Sequence, residues 1–552
     1  MLSGQQGKGV QVKRRDEDLF RSFLAKPFTR RDLLKGAAVL GAGAAMAPVI
    51  SACGSGSSTT TSPSALASPT AGGHLRVGLI GGSVKETLDG QAFAGTEPMM
   101  VFIFNMYESL MEYSPTGELQ MCLAESVDAN EAATQFTAKL QSGLTFHNGK
   151  DVTADDVVYS FKRVLTDQLQ GATQLIGLKA SGVKKIDDLT VQFNLESPNA
   201  VFKEALAAYS NCIVPVDYNP KGANGAIGTG AFKIDSFKPG EQAVFSKYPN
   251  YWREVYLDQL TCIEFADPSA RVNALQDGTV DYLNQIESAN IPVLQSAGAF
   301  TFLKANTGMW QPFTMNLNTK PFDDVKVRQA MRLIVDRQQM IDQTYNGDGW
   351  VGNDMYSPFD PAYPKDFAQR AQDLEQAKAL LKEAGYDNDL AVTLTTSDGI
   401  TSTAVAQAQV FAEQAKGAGV TVKVNKVDSN TFWGDQYLKW PFAQDFWGTR
   451  NYLVQAAIGT MPDAVYNETH FSSHYPEWLD IVTEAFQTVD DTKRNELIRA
   501  AYEMEYNEGG YIIWGFQDIQ DAMNEKVRGV VADYSGLSGS AARSRYRLAY
   551  MA

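Results

Sequence analysis

Alternating apolar and polar residues predict strands in the first half of the chain. The alternation covers residues 74–80, 135–140 and 189–195, and a period of two is typical of half-buried strands. Residues 231–234 and 243–245 also alternate, on either side of a Lys-Pro-Gly turn at 238–240, so they predict a hairpin. This half therefore has the pattern of an α/β region with antiparallel hairpins.

Two helices are predicted among these strands. Residues 97–111 form one helical stretch. A second helix should begin after Thr153, with Asp156 at the capping-box position three residues further on.

The pattern changes after Asp373 to helix, strand, helix, strand. Asp373 is predicted to cap a helix that Gly385 ends. A strand over 392–395, a helix over 405–416 and a strand over 420–424 follow, and this order favours a βαβ unit with a right-handed crossover. The two halves are predicted to be separate α/β lobes, an architecture that usually binds its ligand between the lobes.

The first 52 residues are predicted to be an export signal rather than part of the fold. A basic leader runs into Arg30-Arg31, followed by an apolar run over 36–50. This run is shorter than the roughly 20 residues of a membrane-spanning helix. Paired arginines followed by Leu-Leu resemble a twin-arginine signal, and residues 50–53 resemble a lipobox in which Cys53 is lipidated. Residues 53–72 would then be the lipidated cysteine and a Ser/Thr/Pro-rich flexible tether, although the general export route remains open.

Composition narrows the functional classes. The net charge is -16 and the pI about 4.9, and no basic stripe offsets them, so nucleic-acid binding is not expected. The chain has only four histidines and no nucleophile elbow, P-loop or paired zinc motif, so we expect neither an enzyme nor a cofactor. Cys122, Cys212 and Cys262 permit at most one disulfide, and the sequence does not choose the pair.

Several short sequence blocks, spread over nearly the whole chain after the predicted export signal, resemble one protein family. Their order and spacing together are more specific than any single block. They are Tyr107-Glu108-Ser109-Leu110, Leu123-Ala124-Glu125-Ser126, Phe146-His147-Asn148-Gly149, residues 152–161, Gly228-Thr229-Gly230-Ala231-Phe232-Lys233, Asn250-Tyr251-Trp252, residues 271–278, Asn316-Leu317-Asn318, Pro321-Phe322-Asp323 and residues 373–386. Together they resemble the peptide, dipeptide and nickel branch (family 5) of the solute-binding proteins of ABC transporters.

The resemblance implies an α/β fold like that of periplasmic binding proteins, with two main lobes, an inserted third lobe and a ligand cleft between lobes I and III. The expected boundaries are 73–115, 219–308 and 515–552 for lobe I, 116–218 for lobe II and 309–514 for lobe III. It also implies a monomer outside the cytoplasm, anchored to the cell membrane through Cys53, that delivers a small peptide-like or opine-like ligand to ABC permease subunits.

One position departs from the family pattern. In peptide-binding relatives an Asp three residues after a Trp pairs with the α-ammonium of the ligand. Here that Trp is Trp447, and the Asp position holds Arg450. A guanidinium recognises carboxylate and repels ammonium, so we expect Arg450 to bind an acidic group of the ligand. The alternative is a structural pair between Arg450 and Asp445.

The remaining candidates for ligand contact come from three regions. Trp447 and Trp310 could form aromatic cleft walls or could belong to the core. Gly95, Thr96 and Glu97 match a lobe I loop that contacts ligand in relatives. Tyr452 follows Arg450 closely, and Asn467 lies in a polar loop expected to line the cleft.

A metal site is the weaker interpretation of that polar loop. His470 and His474 are four residues apart with Glu468 nearby, but no HExxH motif is present. We expect no metal ligands in the chain, and we keep a nickel or metal-chelate receptor of the same fold, or a ligand sensor, as the alternative functions.

Overall fold

The computed structural model describes residues 69–81, 83–92, 96–535 and 540–552. The export signal, Cys53 and Gly95 lie outside the described residues. The strands are β1 His74–Ile80, β2 Met111–Tyr113, β3 Leu119–Met121, β4 Ala124–Ala129, β5 Gln135–Leu140, β6 Leu178–Lys185, β7 Thr190–Leu195, β8 Phe232–Lys238, β9 Gln242–Lys247, β10 Gln259–Phe265, β11 Tyr282–Leu283, β12 Phe300–Trp310, β13 Phe313–Met315, β14 Gly349–Val351, β15 Ala391–Thr396, β16 Thr421–Lys426, β17 Phe442–Gln444, β18 Tyr511–Ile512, β19 Gly515–Asn524, β20 Val527–Arg528 and β21 Tyr550–Met551.

Helices cover the faces and ends of the sheets. They are α1 Glu97–Met106, α2 Ala154–Thr166, α3 Phe202–Ala205, α4 Pro268–Gln276, α5 Ile291–Ala297, α6 Val325–Leu333, α7 Arg337–Thr344, α8 Leu374–Glu383, α9 Ala404–Lys416, α10 Ser429–Phe432, α11 Tyr452–Gly459, α12 Phe471–His474, α13 Pro476–Gln487 and α14 Asp491–Glu508. Short 3-10 turns cover Gln170–Gln174, Tyr209–Asn211 and Ser288–Asn290. Within the described part of the chain no helix is both long and apolar enough to span a bilayer.

The largest sheet has eight strands and joins both ends of the chain to its middle. Its order is β12-β19-β11-β1-β10-β9-β8, with β14 also pairing to β19. β1 is parallel to β10 and β11, and the predicted β8–β9 hairpin is confirmed as an antiparallel pair.

A four-stranded antiparallel sheet, β4-β5-β7-β6, is inserted between β1 and β8. Phe136 and Phe193 from this sheet pack with Phe161 of α2 in its core. The predicted start of α2 is confirmed, because the Asp156 carboxylate accepts hydrogen bonds from the backbone N–H and the hydroxyl of Thr153.

A third sheet has five strands in the order β16-β15-β17-β13-β18. Its β15 and β16 are parallel and α9 connects them, which confirms the predicted βαβ order. The side chain of Asp373 accepts from the Gln376 N–H at the start of α8. Gly385 follows the helix with φ of 94°, a left-handed conformation that glycine adopts without a Cβ penalty.

Two short connections join the largest sheet to the five-stranded sheet. β12 ends at Trp310 and β13 begins at Phe313, while β18 ends at Ile512 and β19 begins at Gly515. Both crossings therefore use only two residues. The lobe boundaries given above stay a prediction.

The helix predicted over 97–111 is shorter than expected. It ends at Met106 because Tyr107 takes an extended conformation, and Met111–Tyr113 pairs with Leu119–Met121 instead. The Gly230 N–H donates to the Met106 carbonyl at 2.8 Å. The last turn of the helix thus receives a hydrogen bond from a distant residue. The spacing of apolar residues within the helix cannot predict such a bond.

Candidate functional site

A cavity opens where the inserted sheet region, the C-terminal segment and the start of α11 approach one another. The cavity, including its mouth, has a volume of about 1120 Å³. Phe104 and Tyr113 line it from the N-terminal part of the chain, Glu204 and Tyr209 from the region after β7, and Arg450 and Asn451 from the turn before α11. Tyr534, Arg543 and Arg545 complete it from the C-terminal segment.

Arg450 presents a guanidinium that has no carboxylate partner in the described part of the chain. Its Nη1 makes one long contact, 3.5 Å to the Gly448 carbonyl, and the guanidinium carbon lies 5.9 Å from the Trp447 ring centroid. Among the described residues no acidic side chain forms an ion pair with it. Burial lowers the pKa of Arg450, since desolvation disfavours the charged form. An anionic group entering the cavity would supply the missing counter-charge.

Arg543 is a second incompletely paired guanidinium on the cavity wall. It is 4% exposed, and its Nη1 lies 3.5 Å from Asp533 Oδ2 and 3.4 Å from the Tyr113 carbonyl. Its Nε is buried with no hydrogen-bond partner among the described residues. Phe104 and Tyr113 each hold the guanidinium carbon 5.8 Å from their ring centroids.

Arg545 is better satisfied than Arg543. Its Nη1 donates to the Tyr113 carbonyl at 3.1 Å and lies 3.2 Å from Glu112 Oε2. Glu112 also pairs with Arg253. Arg545 therefore anchors the C-terminal segment against the β2 hairpin.

Glu204 is the acidic residue of the cavity lining. Its Oε2 accepts a hydrogen bond from the Tyr113 hydroxyl at 2.8 Å, and its carboxyl also contacts Asn451. Burial raises the pKa of Glu204 to about 7. Three arginines line the cavity with this one carboxyl group. Arg543 and Arg545 have carboxylate partners, whereas Arg450 has none among the described residues, so its positive charge favours an acidic ligand.

The structure places three predicted aromatic contacts, Trp310, Trp447 and Tyr452, in one buried hydrophobic cluster and not in the cavity lining. Trp310 is 1% exposed and stacks between Trp447 and Tyr356, with 5.7 Å between ring centroids on each side. Tyr452 stacks on Tyr356 at 5.2 Å. Their size and apolar surface explain the burial, and sequence alone does not distinguish a core wall from a cleft wall.

Asp445 is buried and has partners other than Arg450. Its Oδ2 accepts from the Tyr437 hydroxyl at 2.8 Å and its Oδ1 from the Phe446 N–H at 2.6 Å. Burial raises the pKa of both Asp445 and its neighbour Glu468. The ion pair considered for Asp445 and Arg450 is not formed in this structure.

Thr96, Glu97 and Asn467 also lie away from the cavity lining. Glu97 is buried, and burial raises its pKa to about 8. Thr96 precedes it at the start of α1. Asn467 is used inside its own loop, where Nδ2 donates to the Met461 carbonyl and Oδ1 accepts from the His470 N–H.

His470 and His474 do not line the cavity either. His470 precedes α12 with φ of 56°, and His474 Nε2 lies 2.9 Å from Asn318 Oδ1. Over the described ranges no group of three or more potential metal-ligating side chains is brought together. Cys122, Cys212 and Cys262 are buried free thiols.

The core beside this cavity contains a carboxyl group that makes stability depend on pH. Glu505 accepts hydrogen bonds from the Tyr356 and Tyr452 hydroxyls at 2.8 and 2.9 Å, and burial raises its pKa to about 8. The folded state therefore retains a proton that the unfolded state releases near pH 4.5, so this group lowers stability as pH rises from about 5 to 8. Glu505→Gln keeps a hydrogen-bond acceptor but cannot ionise. We expect its free energy of unfolding to exceed that of the wild type by on the order of a few kcal/mol at pH 8, and by little at pH 4.5.

Urea unfolding of the exported domain across this pH range checks the expectation. Glu503→Gln, on the exposed face of the same helix, is the matched control and should stay within about 0.5 kcal/mol of wild type. If Glu505→Gln raises the free energy of unfolding equally at pH 4.5 and pH 8, the ionisation of Glu505 is not the cause of the pH dependence.

Sequence reasoning missed Arg543, Arg545, Glu204 and Tyr113. One signal was available, because Arg543-Ser544-Arg545-Tyr546-Arg547 places three arginines within five residues of an acidic chain. The positions of Glu204 and Tyr113 carry no such signal, since they reach the cavity only through the packing of distant segments.

Comparisons with known proteins agree on one group. The family described as bacterial extracellular solute-binding proteins, family 5, middle region, matches residues 118–463, and a twin-arginine signal matches residues 27–47. The dipeptide-binding protein of Escherichia coli K12 is 28% identical over 479 residues, covering 78% of this chain and 87% of that protein. The oligopeptide-binding protein AppA of Bacillus subtilis 168 is 29% identical over 416 residues, covering 69% and 74%. The binding protein AgaA of Agrobacterium tumefaciens R10, solved with agropinic acid, superposes with a TM-score of 0.70 at 23% identity, covering 87% of this chain and 99% of that one.

Proposed function

This chain belongs to family 5 of the bacterial extracellular solute-binding proteins, and we propose that it captures a small acidic ligand, peptide-like or opine-like, for an ABC permease. The observation that carries the ligand class is Arg450, a desolvated guanidinium on the cavity wall with no described carboxylate partner. A partly buried cation without a counter-ion is costly, and a ligand carboxylate would offset that cost. Two matched proteins bind compounds with carboxylate groups, a dipeptide and agropinic acid.

Capture by a lobed receptor explains how binding reaches the transporter. A ligand shifts such a protein toward its closed state only by its differential affinity for that state. Arg450 comes from the lobe with the five-stranded sheet and Arg543 from the C-terminal segment. A ligand bound between these regions would therefore hold them together, and the permease would recognise the closed form.

The twin-arginine match supports export of the chain before it acts. We propose that Cys53 carries the lipid anchor, that the exported receptor is monomeric, and that it catalyses no reaction. The three lobes proposed from the sequence would then close on the ligand outside the cell membrane.

Native mass spectrometry of residues 73–552, followed by a thermal-shift screen of acidic dipeptides and opines, tests this function. A receptor can retain its ligand through purification, and a ligand at about 100 times its Kd should add roughly 2.7 kcal/mol to the free energy of unfolding. We expect a co-purifying acid or a concentration-dependent shift with an acid. Stabilisation by neutral or cationic compounds alone, or by nickel alone, would contradict the acidic ligand.

A further inference from the structure

One carboxyl group and two incompletely paired guanidinium groups line the cavity. Glu204 accepts from the Tyr113 hydroxyl at 2.8 Å, and Arg543 lies over the Tyr113 ring at 5.8 Å. On its other side Glu204 contacts Asn451, the residue next to Arg450. Tyr113 therefore contacts both Glu204 and Arg543, Asn451 joins Glu204 to the residue next to Arg450, and all three charged groups line the same cavity.

Arg543 has the features of an anion subsite with unused donors. Asp533 and the Tyr113 carbonyl are its acceptors, at 3.5 and 3.4 Å, and both contacts are long. Its Nε is buried and unpaired in the described structure. A guanidinium presents five N–H donors in a planar fork suited to a carboxylate, so a ligand carboxylate would satisfy donors that the protein leaves unused.

A ligand with two carboxylates alone would be repelled by Glu204 when that group is ionised. A protonated amine between the carboxylates removes this conflict, because an ammonium within hydrogen-bond reach of a carboxylate is attracted to it. A ligand that complements all three groups thus carries two carboxylates and an amine.

We propose that Arg543 is a second anion subsite and that the ligand is a small amino diacid, with one carboxylate on Arg450, one on Arg543 and an amine at Glu204. This inference rests on the proposed function and narrows its ligand class. It also assigns a role to the C-terminal segment, which brings Arg543 to the cavity from far along the chain.

Isothermal titration calorimetry with matched compounds tests the inference on the exported chain. The probes are the N-(1-carboxyethyl) derivatives of glutamine and phenylalanine, each beside its N-ethyl counterpart, which lacks only the second carboxylate. Loss of one buried charged contact should weaken binding by roughly 30-fold or more. We therefore expect the wild type to prefer at least one diacid by that factor, and Arg543→Gln to remove the preference.

Two further variants keep the result interpretable. Arg499→Gln removes an exposed guanidinium that pairs with Asp366 away from the cavity, and it should keep the full preference. Arg543→Lys retains the charge without the planar fork, and it should retain part of the preference. If Arg543→Gln does not fold, the lysine variant and the comparison of the two compounds on the wild type decide the matter.

Three results would overturn the second subsite. They are equal affinity of the wild type for a diacid and its N-ethyl counterpart, an undiminished preference in Arg543→Gln, and no binding of any probe. The proposed function survives the first two if a one-carboxylate ligand still loses affinity in Arg450→Gln. It fails as well if no acid of any kind binds the wild type.

Discussion

Replacing Arg450 with glutamine should weaken binding of the acidic ligand by about 100-fold or more, while leaving the ligand-free protein at least as stable as the wild type. Truncating one partner of a buried charge pair costs about 2–5 kcal/mol in binding, and every 1.4 kcal/mol is tenfold in affinity. Among the described residues the substitution breaks no ion pair, because Arg450 contacts the Gly448 carbonyl at 3.5 Å and the Trp447 ring at 5.9 Å. The desolvation of its charge disappears with the substitution.

Calorimetric titration with the tightest acid from the screen and thermal unfolding without ligand measure the two effects separately. Arg450→Lys is the conservative variant and should recover part of the affinity, since it keeps the charge but not the bidentate geometry. Arg499→Gln is the matched surface control. Unchanged affinity in Arg450→Gln would reject Arg450 as a ligand contact. A large fall in the unfolding temperature without ligand would instead assign it a structural role.

Local sequence signals predicted most of the fold because they act over a few residues. The capping box at Thr153 and Asp156 and the cap at Asp373 begin helices where expected. The parallel β15–β16 pair follows the helix–strand order after Asp373. The overlong prediction for α1 failed for a tertiary reason, since the Gly230 N–H bonds to the Met106 carbonyl where the helix ends.

The candidate site was predictable only where a residue type is unusual for its position. Arg450 was predicted because it stands where the family pattern implies an Asp, and it lines the cavity. A tryptophan such as Trp310 is a residue type that often lines ligand clefts, yet Trp310 is stacked between two neighbouring rings. Arg543 reaches the cavity from more than 400 residues beyond Tyr113, whose carbonyl it contacts, and periodicity cannot supply a contact at that separation.

Asp354→Asn should destabilise the protein by about 3–5 kcal/mol, the cost of leaving a buried charge without its partner. The carboxylate is buried, and its Oδ2 accepts from Arg337 Nη2 at 2.6 Å and from Arg370 Nε at 2.7 Å. Burial opposes its ionisation, but the positive charges of Arg337, Arg370 and Arg332 outweigh that effect and hold the pKa of Asp354 below its usual value. An asparagine keeps the shape and loses the charge, so both guanidinium groups would remain buried with only carbonyl acceptors.

The effect should reach beyond one sheet, because the same carboxylate binds the connection between two sheets. Asp354 Oδ1 accepts from the Ile513 N–H at 3.0 Å, within the two-residue connection from β18 to β19. Urea unfolding at pH 7 measures the loss. Asp366→Asn is the matched control, since Asp366 forms an exposed pair with Arg499 and should cost less than about 1 kcal/mol. Equal losses in the two variants would show that the buried arginines find other partners, and the carboxylate would then not be what fixes the crossing.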